Sequence, residues 1–193
     1  MAESNITKWA LAASLKELMM EQPFEKINVA QICARCHMNR KSFYYHFKDK
    51  YDLVNWIFDT EFIALVKEED LGSRYQERWA FIEKTCHYFY QNHVFYRKAL
   101  QIRGQNSFCE HFREYIRPLL AGRITYVFKQ AQPDAFTLDF FTDALLCAME
   151  RWLLTKECMS PEEFLEKIKW LSEEGARSIY RELLQAEQEE NGR

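Results

Sequence analysis

The sequence predicts an all-α protein, with a three-helix unit at the N-terminus and a larger helical region behind it. Apolar residues recur at three- and four-residue spacing along most of the 193 residues, the period of a helix with one buried face. Helix-start signals precede several of these stripes. Five glycines and four prolines are too few for the turns that an all-β chain needs. With 48% hydrophobic and 16% aromatic residues the chain has ample material for a core, which excludes intrinsic disorder. It contains no apolar run of the ~20 residues that span a bilayer, so no membrane partner is expected. The N-terminus lacks the basic-then-apolar profile of a signal peptide, so a cytoplasmic location is expected.

Leu11, Leu15, Leu18 and Met19 define a first helix over about residues 5–21, stopped by Pro23. Asn28-Val29-Ala30-Gln31 has the capping-box arrangement and opens a second helix, about 29–36, only two turns long. Asn39 caps a third short helix from Arg40 to Phe47 after a very short connection at His37-Met38. A fourth, about 51–69, carries Val54, Ile57, Phe58, Phe62, Leu65 and Val66. Leu71-Gly72-Ser73 marks a break, beyond which the helices lengthen. Trp79, Ile82, Cys86, Phe89 and Tyr90 mark one; Phe112, Ile116, Leu119 and Leu120 mark another, with Pro118 expected to kink or break it. The strongest stripe is Phe141, Ala144, Leu145, Ala148, Met149, Trp152 and Leu153. Ser160-Pro161-Glu162-Glu163 then opens a last helix presenting Phe164, Ile168, Leu171, Gly175 and Ile179.

Cysteines stand at 33, 36, 86, 109, 147 and 158 and are expected as reduced thiols. Cys33-Ala-Arg-Cys36-His37 matches the haem-attachment pattern, but attachment requires export, for which there is no signal. Zinc would need a second ligand pair, and none follows. Cys33 and Cys36, at i and i+3, are expected on the buried face of the second helix.

The second and third helices have helix-turn-helix dimensions, in which the second member enters the major groove of DNA with its N-terminal residues at the bases. Residues 24–50 hold Lys26, Arg35, Arg40, Lys41, Lys48 and Lys50 against Glu25 and Asp49, a local charge of +4. Arg40, Lys41 and Ser42 occupy the first turn of the third helix, within reach of base edges; Tyr44, Tyr45 and His46 offer donors to phosphate. Phe43 and Phe47, four apart, are expected to anchor this helix to the first and fourth. The overall charge of −3 conceals this feature: residues 1–50 carry +3 and residues 51–193 carry −6.

Asn28–Lys50, with Phe43-Tyr44-Tyr45-His46-Phe47-Lys48-Asp49-Lys50 and then Asp52-Leu53, closely resembles the DNA-binding signature of TetR (tetracycline-repressor) family regulators. The resemblance covers about residues 7–60; Asn39-Arg40-Lys41-Ser42 and Tyr51–Phe58 look like the branch linked to dihydroxyacetone-kinase operons. It implies a DNA-binding domain over 1–50, a connecting helix over 51–70, and a regulatory and dimerisation domain over 71–193. It implies DNA contacts from Asn28, Asn39, Arg40, Lys41, Ser42, Tyr44, Tyr45, His46 and Lys50, with Asn39 capping the recognition helix and Lys50 at phosphate. His37 stands where the family usually has a glycine at positive φ, a conformation that His tolerates better than most residues.

The resemblance further implies a homodimer, formed by two C-terminal helices from each subunit and reading a palindromic double-stranded DNA operator. The interface expected from the two stripes is Phe141, Leu145, Met149, Trp152, Phe164, Ile168, Leu171, Gly175 and Ile179. The aromatic and basic residues of 75–158 suggest an effector pocket involving His87, Tyr90, His111 and Tyr115. Neither cofactor nor metal is expected: His87, His93 and His111 share no helix face. Two readings of the second domain stay open, a small-molecule sensor and a surface for a partner protein. An enzyme is not expected, since the sequence has no P-loop, dinucleotide glycine pattern or His-Glu-x-x-His.

Overall fold

A computed structural model describes residues 2–67, 75–104, 107–128 and 133–171. Among the described residues there are nine α-helices, one 3-10 turn and no strand. The helices are α1 (Ala2–Glu21), α2 (Val29–Arg35), α3 (Arg40–His46), α4 (Lys50–Lys67), α5 (Tyr75–Gln91), α6 (His93–Ala99), α7 (Phe108–Phe128), α8 (Ala135–Leu154) and α9 (Pro161–Trp170). The 3-10 turn, Phe24–Lys26, follows Pro23 in the loop between α1 and α2. Leu71, Gly72, Ser73, Gly175 and Ile179 lie outside the described residues.

The N-terminal helices fold around one apolar centre. Leu11, Leu15 and Met19 of α1 meet Ile32 and Cys33 of α2, Phe43 of α3, and Leu53 and Val54 of α4, all essentially inaccessible to water. Cys33 is thus buried as expected, while Cys36 is half-exposed at the helix end. Trp56 joins this unit to α4 by meeting Phe47 at 5.6 Å and Trp9 at 5.3 Å, both edge to face. Arg35 of α2 forms a bidentate pair with Glu21 of α1, two N–O distances of 2.7 Å.

α4 runs on into the larger unit, where Phe58 and Phe62 stack and meet Phe89 of α5 and Phe112 of α7. α6 follows α5 after a single residue, a break that hydrophobic periodicity alone did not reveal. It ties the two units together: Lys98 donates to the Gln22 carbonyl at the end of α1, and Arg97 to the Leu154 carbonyl at the end of α8. Lys16 of α1 donates to both carboxylate oxygens of Glu61 on α4, which also accepts from the Tyr88 hydroxyl of α5 at 2.9 Å. Pro118 does not divide α7, which continues through it with the proline on the exposed side.

Candidate nucleic-acid interface

Local capping sets the orientation of α2 and α3. The Asn28 side chain accepts from the Gln31 amide at 3.0 Å and Gln31 Oε1 accepts from the Asn28 amide at 2.9 Å, a complete capping box. The chain leaves α2 through His37 at φ +55, the left-handed conformation expected there, with the Met38 amide returning to the Cys33 carbonyl at 2.9 Å. Asn39 then caps α3: its Oδ1 accepts from the Ser42 amide at 2.8 Å and the Ser42 hydroxyl at 3.2 Å.

α3 is seven residues long, so its register decides which side chains reach outward. Phe43 and the following Phe47 are buried, and this single anchor row turns Arg40, Lys41, Tyr44 and Tyr45 to solvent. Tyr45 is 82% exposed and Tyr44 55%, unusual for rings of that size. Each is braced at its base, Tyr45 edge-on against His46 and Tyr44 edge-on against Phe43. Asn39, Lys41, Ser42, Tyr45 and His46 line a shallow groove of about 370 Å³ with Met38 and Thr7. Thr7, on α1, is absent from the sequence-based set; only the tertiary approach of α1 to α3 brings it there.

The six local cations divide into two groups. Lys26, Arg40, Lys41 and Lys48 are exposed. Arg35 is committed to Glu21 and Glu17. The Lys50 ammonium, expected at phosphate, donates within the chain to the carbonyls of Phe24 and Ile27 at 2.8 Å and of Glu25 at 3.3 Å. Partial burial lowers its pKa, with Glu25 opposing the shift. Lys50 therefore closes the loop between α1 and α2 rather than standing free. α4 begins at this lysine, with Asp49 Oδ1 accepting from the amides of Tyr51 and Asp52.

In the larger unit the four expected effector residues separate into two places. His87 meets Glu162 of α9 at 3.2 Å, and Tyr90 lies parallel to Trp152 of α8. His111 Nε2 lies 2.6 Å from Asp59 Oδ1 of α4, and Tyr115 packs edge-on against Phe58 and Phe62. Phe58, Phe62, Phe89, Phe108 and Phe112 pack against one another in the same unit, all with at most 1% exposure. Among the described residues, His111 and Tyr115 meet α4, whereas His87 and Tyr90 meet α9 and α8.

The expected dimer stripe is similarly divided. Met149, Trp152 and Phe164 are buried within the chain: Trp152 and Phe164 stack at 4.3 Å, and the indole N–H donates to the Met159 carbonyl at 2.8 Å. Leu145 and Ile168 are half-buried against the same core. Periodicity finds a helix's apolar face but does not say whether its own chain or a second copy covers it. Phe141 and Leu171 are exposed, and so are Phe136 (79%), Phe140 (59%) and Trp170 (62%), which the stripe omitted.

A family model described as bacterial regulatory proteins of the tetR family matches residues 11–57, and one described as a transcriptional regulator C-terminal region matches residues 77–174. The chain belongs to the TetR family of transcriptional regulators, which are regulators rather than enzymes. It is 29% identical over 112 residues to the HTH-type dhaKLM operon transcriptional activator DhaS of Lactococcus lactis subsp. lactis (strain IL1403), a stretch covering 58% of this chain and 57% of that relative. The chain thus spans little more than half the length of this curated relative. Among solved structures, a dihydroxyacetone kinase operon activator DhaS matches with TM-score 0.63 at 22% identity, covering 86% of this chain and 94% of that one. A TetR transcriptional regulator from Streptococcus agalactiae 2603V matches with TM-score 0.66 at 19% identity, covering 86% and 93%. These structures share the fold. No helix among the described residues is long and apolar enough to cross a membrane.

Proposed function

We propose that this regulator binds a palindromic operator as a homodimer in the cytoplasm, with one α3 from each subunit in successive major grooves. The observation that carries the reading is the outward row of Arg40, Lys41, Tyr44 and Tyr45 on a helix fixed by the Asn39 cap and the Phe43 and Phe47 anchors. Arg40 and Lys41 read base edges, where a bidentate contact discriminates by ~1–3 kcal/mol. Tyr44, Ser42, His46, Lys26 and Lys48 hold the backbone, and Asn28 presents the start of α2 to phosphate. Two α3 helices one DNA turn apart call for a two-fold axis relating the subunits, which this reading runs beside α8. The exposed Phe136, Phe140 and Phe141 supply an apolar face for it. Binding of genomic fragments recovered with the protein, measured for wild type and for Arg40→Ala/Lys41→Ala, tests the reading; equal affinities in folded protein overturn it.

The input at the C-terminal domain is a partner protein rather than a molecule held in an internal pocket. The close mutual packing of the buried Phe58, Phe62, Phe89, Phe108 and Phe112 supports this choice. The similarity to DhaS supports activation at a dihydroxyacetone kinase operon. The partner changes DNA affinity only by its differential affinity for two separations of the α3 helices. Co-purification of a stoichiometric protein that alters DNA binding supports this input. A small metabolite that does so alone, with the purified regulator, contradicts it.

A further inference from the structure

Two ion pairs set the register of α7 against α8. Arg117 Nε donates to Asp139 at 2.8 Å, and Arg113 Nε to Asp143 at 2.8 Å. Four residues back along α7 match four residues forward along α8, so the helices run antiparallel. One further step of four brings Cys109 opposite Cys147. Both cysteines line a single surface groove of about 380 Å³, floored by Leu100, Phe112 and Leu146.

The two thiols occupy unequal positions. Cys147 is exposed, whereas Cys109 is half-buried and directs its Sγ toward the Leu100 carbonyl at 3.4 Å. Burial, followed by the nearby Glu150, pushes the Cys109 thiol up, with Arg103 opposing. Cys33 and Cys86 lie in the core, at 1% and 2% exposure, where a reagent has no approach. Cys36 caps the end of α2, three residues on from the buried Cys33.

We propose that Cys109 and Cys147 form a dithiol that hydroperoxides oxidise to a disulfide bridging α7 and α8. The Cys147 thiolate attacks the peroxide: an S–O bond forms, the O–O bond breaks, and the leaving oxygen takes a proton to give alcohol or water. The Cys109 thiolate then attacks the resulting sulfenic sulfur. The S–S bond forms, the S–O bond breaks, and the oxygen leaves as water after protonation. Two thiols lose two electrons and two protons, and one hydroperoxide is reduced. The bridge ties α7, which meets α4 through His111 and Asp59, to the helix that carries Phe136 and Phe140.

Limited oxidation of the full chain with hydrogen peroxide, followed by alkylation and peptide mass spectrometry, tests the assignment. The expected result is a linked peptide pair containing Cys109 and Cys147, a fall from six free thiols to four, and full reversal by dithiothreitol. The monomer band is retained on a non-reducing denaturing gel. Cys147→Ser abolishes the link, and in Cys109→Ser a dimedone probe traps a sulfenic acid on Cys147. A bridge requires Cα atoms about 4.4–6.8 Å apart. Absence of the linked pair, a bridge confined to Cys33 and Cys36, or a Cys147 link between two copies overturns the proposal.

Discussion

The ammonium of Lys50 lies 4.3 Å from the centre of the Phe24 ring while donating to that same residue's carbonyl at 2.8 Å. One side chain thereby fixes both the backbone and the ring of the turn between α1 and α2. Replacing Lys50 with methionine takes the ammonium from the Ile27 carbonyl and leaves the Phe24 carbonyl with the Ile27 amide alone, and a lost charged hydrogen bond of this kind costs about 2 kcal/mol. Urea unfolding should show that loss. The salt slope of DNA binding should be unchanged, because no phosphate contact is removed; a slope lower by about one would return Lys50 to the DNA backbone.

His37 holds φ +55 at the end of α2, a conformation that glycine adopts without penalty. His37→Gly should raise stability by about 0.5–1 kcal/mol, since the relief of ~1–2 kcal/mol is partly offset by the entropy of the unfolded chain. His37→Val should lower stability. Thermal melts of the three proteins check the order.

Asp59 draws the His111 pKa upward by hydrogen bonding, with burial opposing and Glu114 and Asp52 adding to the rise. A raised folded pKa means that the link between α4 and α7 stabilises fully below the unfolded value of 6.5 and is lost as pH rises through the folded value. The advantage of wild type over Asp59→Asn should therefore be greatest near pH 5.5 and fade on the alkaline side of neutrality. Urea titrations of both proteins across that range should show the gap closing; a gap widening with pH contradicts the pairing.

The two parts of α8 should respond differently to substitution. Trp152→Ala removes a ring stacked on Phe164 and should cost about 3–5 kcal/mol of stability. Phe140→Glu alters an exposed ring and should leave the melt nearly unchanged while shifting sedimentation from dimer to monomer. A folded Phe140→Glu variant that still sediments as a dimer would remove this face from the interface.

Much of the helical plan is legible because its signals are local. Asn28 with Gln31, Asn39 with Ser42, and Ser160 with Glu163 announce helix starts within four residues of sequence, and Phe43 with Phe47 gives the inward row of α3. What escaped the sequence depends on distant partners. Nothing local to Lys50 announces its bonds to the carbonyls of Phe24 and Ile27, and nothing local to Trp152 announces the Phe164 ring that α9 stacks on it. The break before α6 was hidden because His93–Ala99 continues the apolar character of α5 with no proline or glycine between them.

The most direct test of the DNA-binding account is fluorescence anisotropy with a labelled duplex recovered from the genome by the protein itself. Wild type is compared with Arg40→Ala/Lys41→Ala, both checked for equal helicity. The double substitution should lower affinity by at least about 30-fold, from two contacts worth ~1–3 kcal/mol each. Equal affinities within twofold, in proteins of matching helicity, would contradict the assignment of α3 as the reading helix.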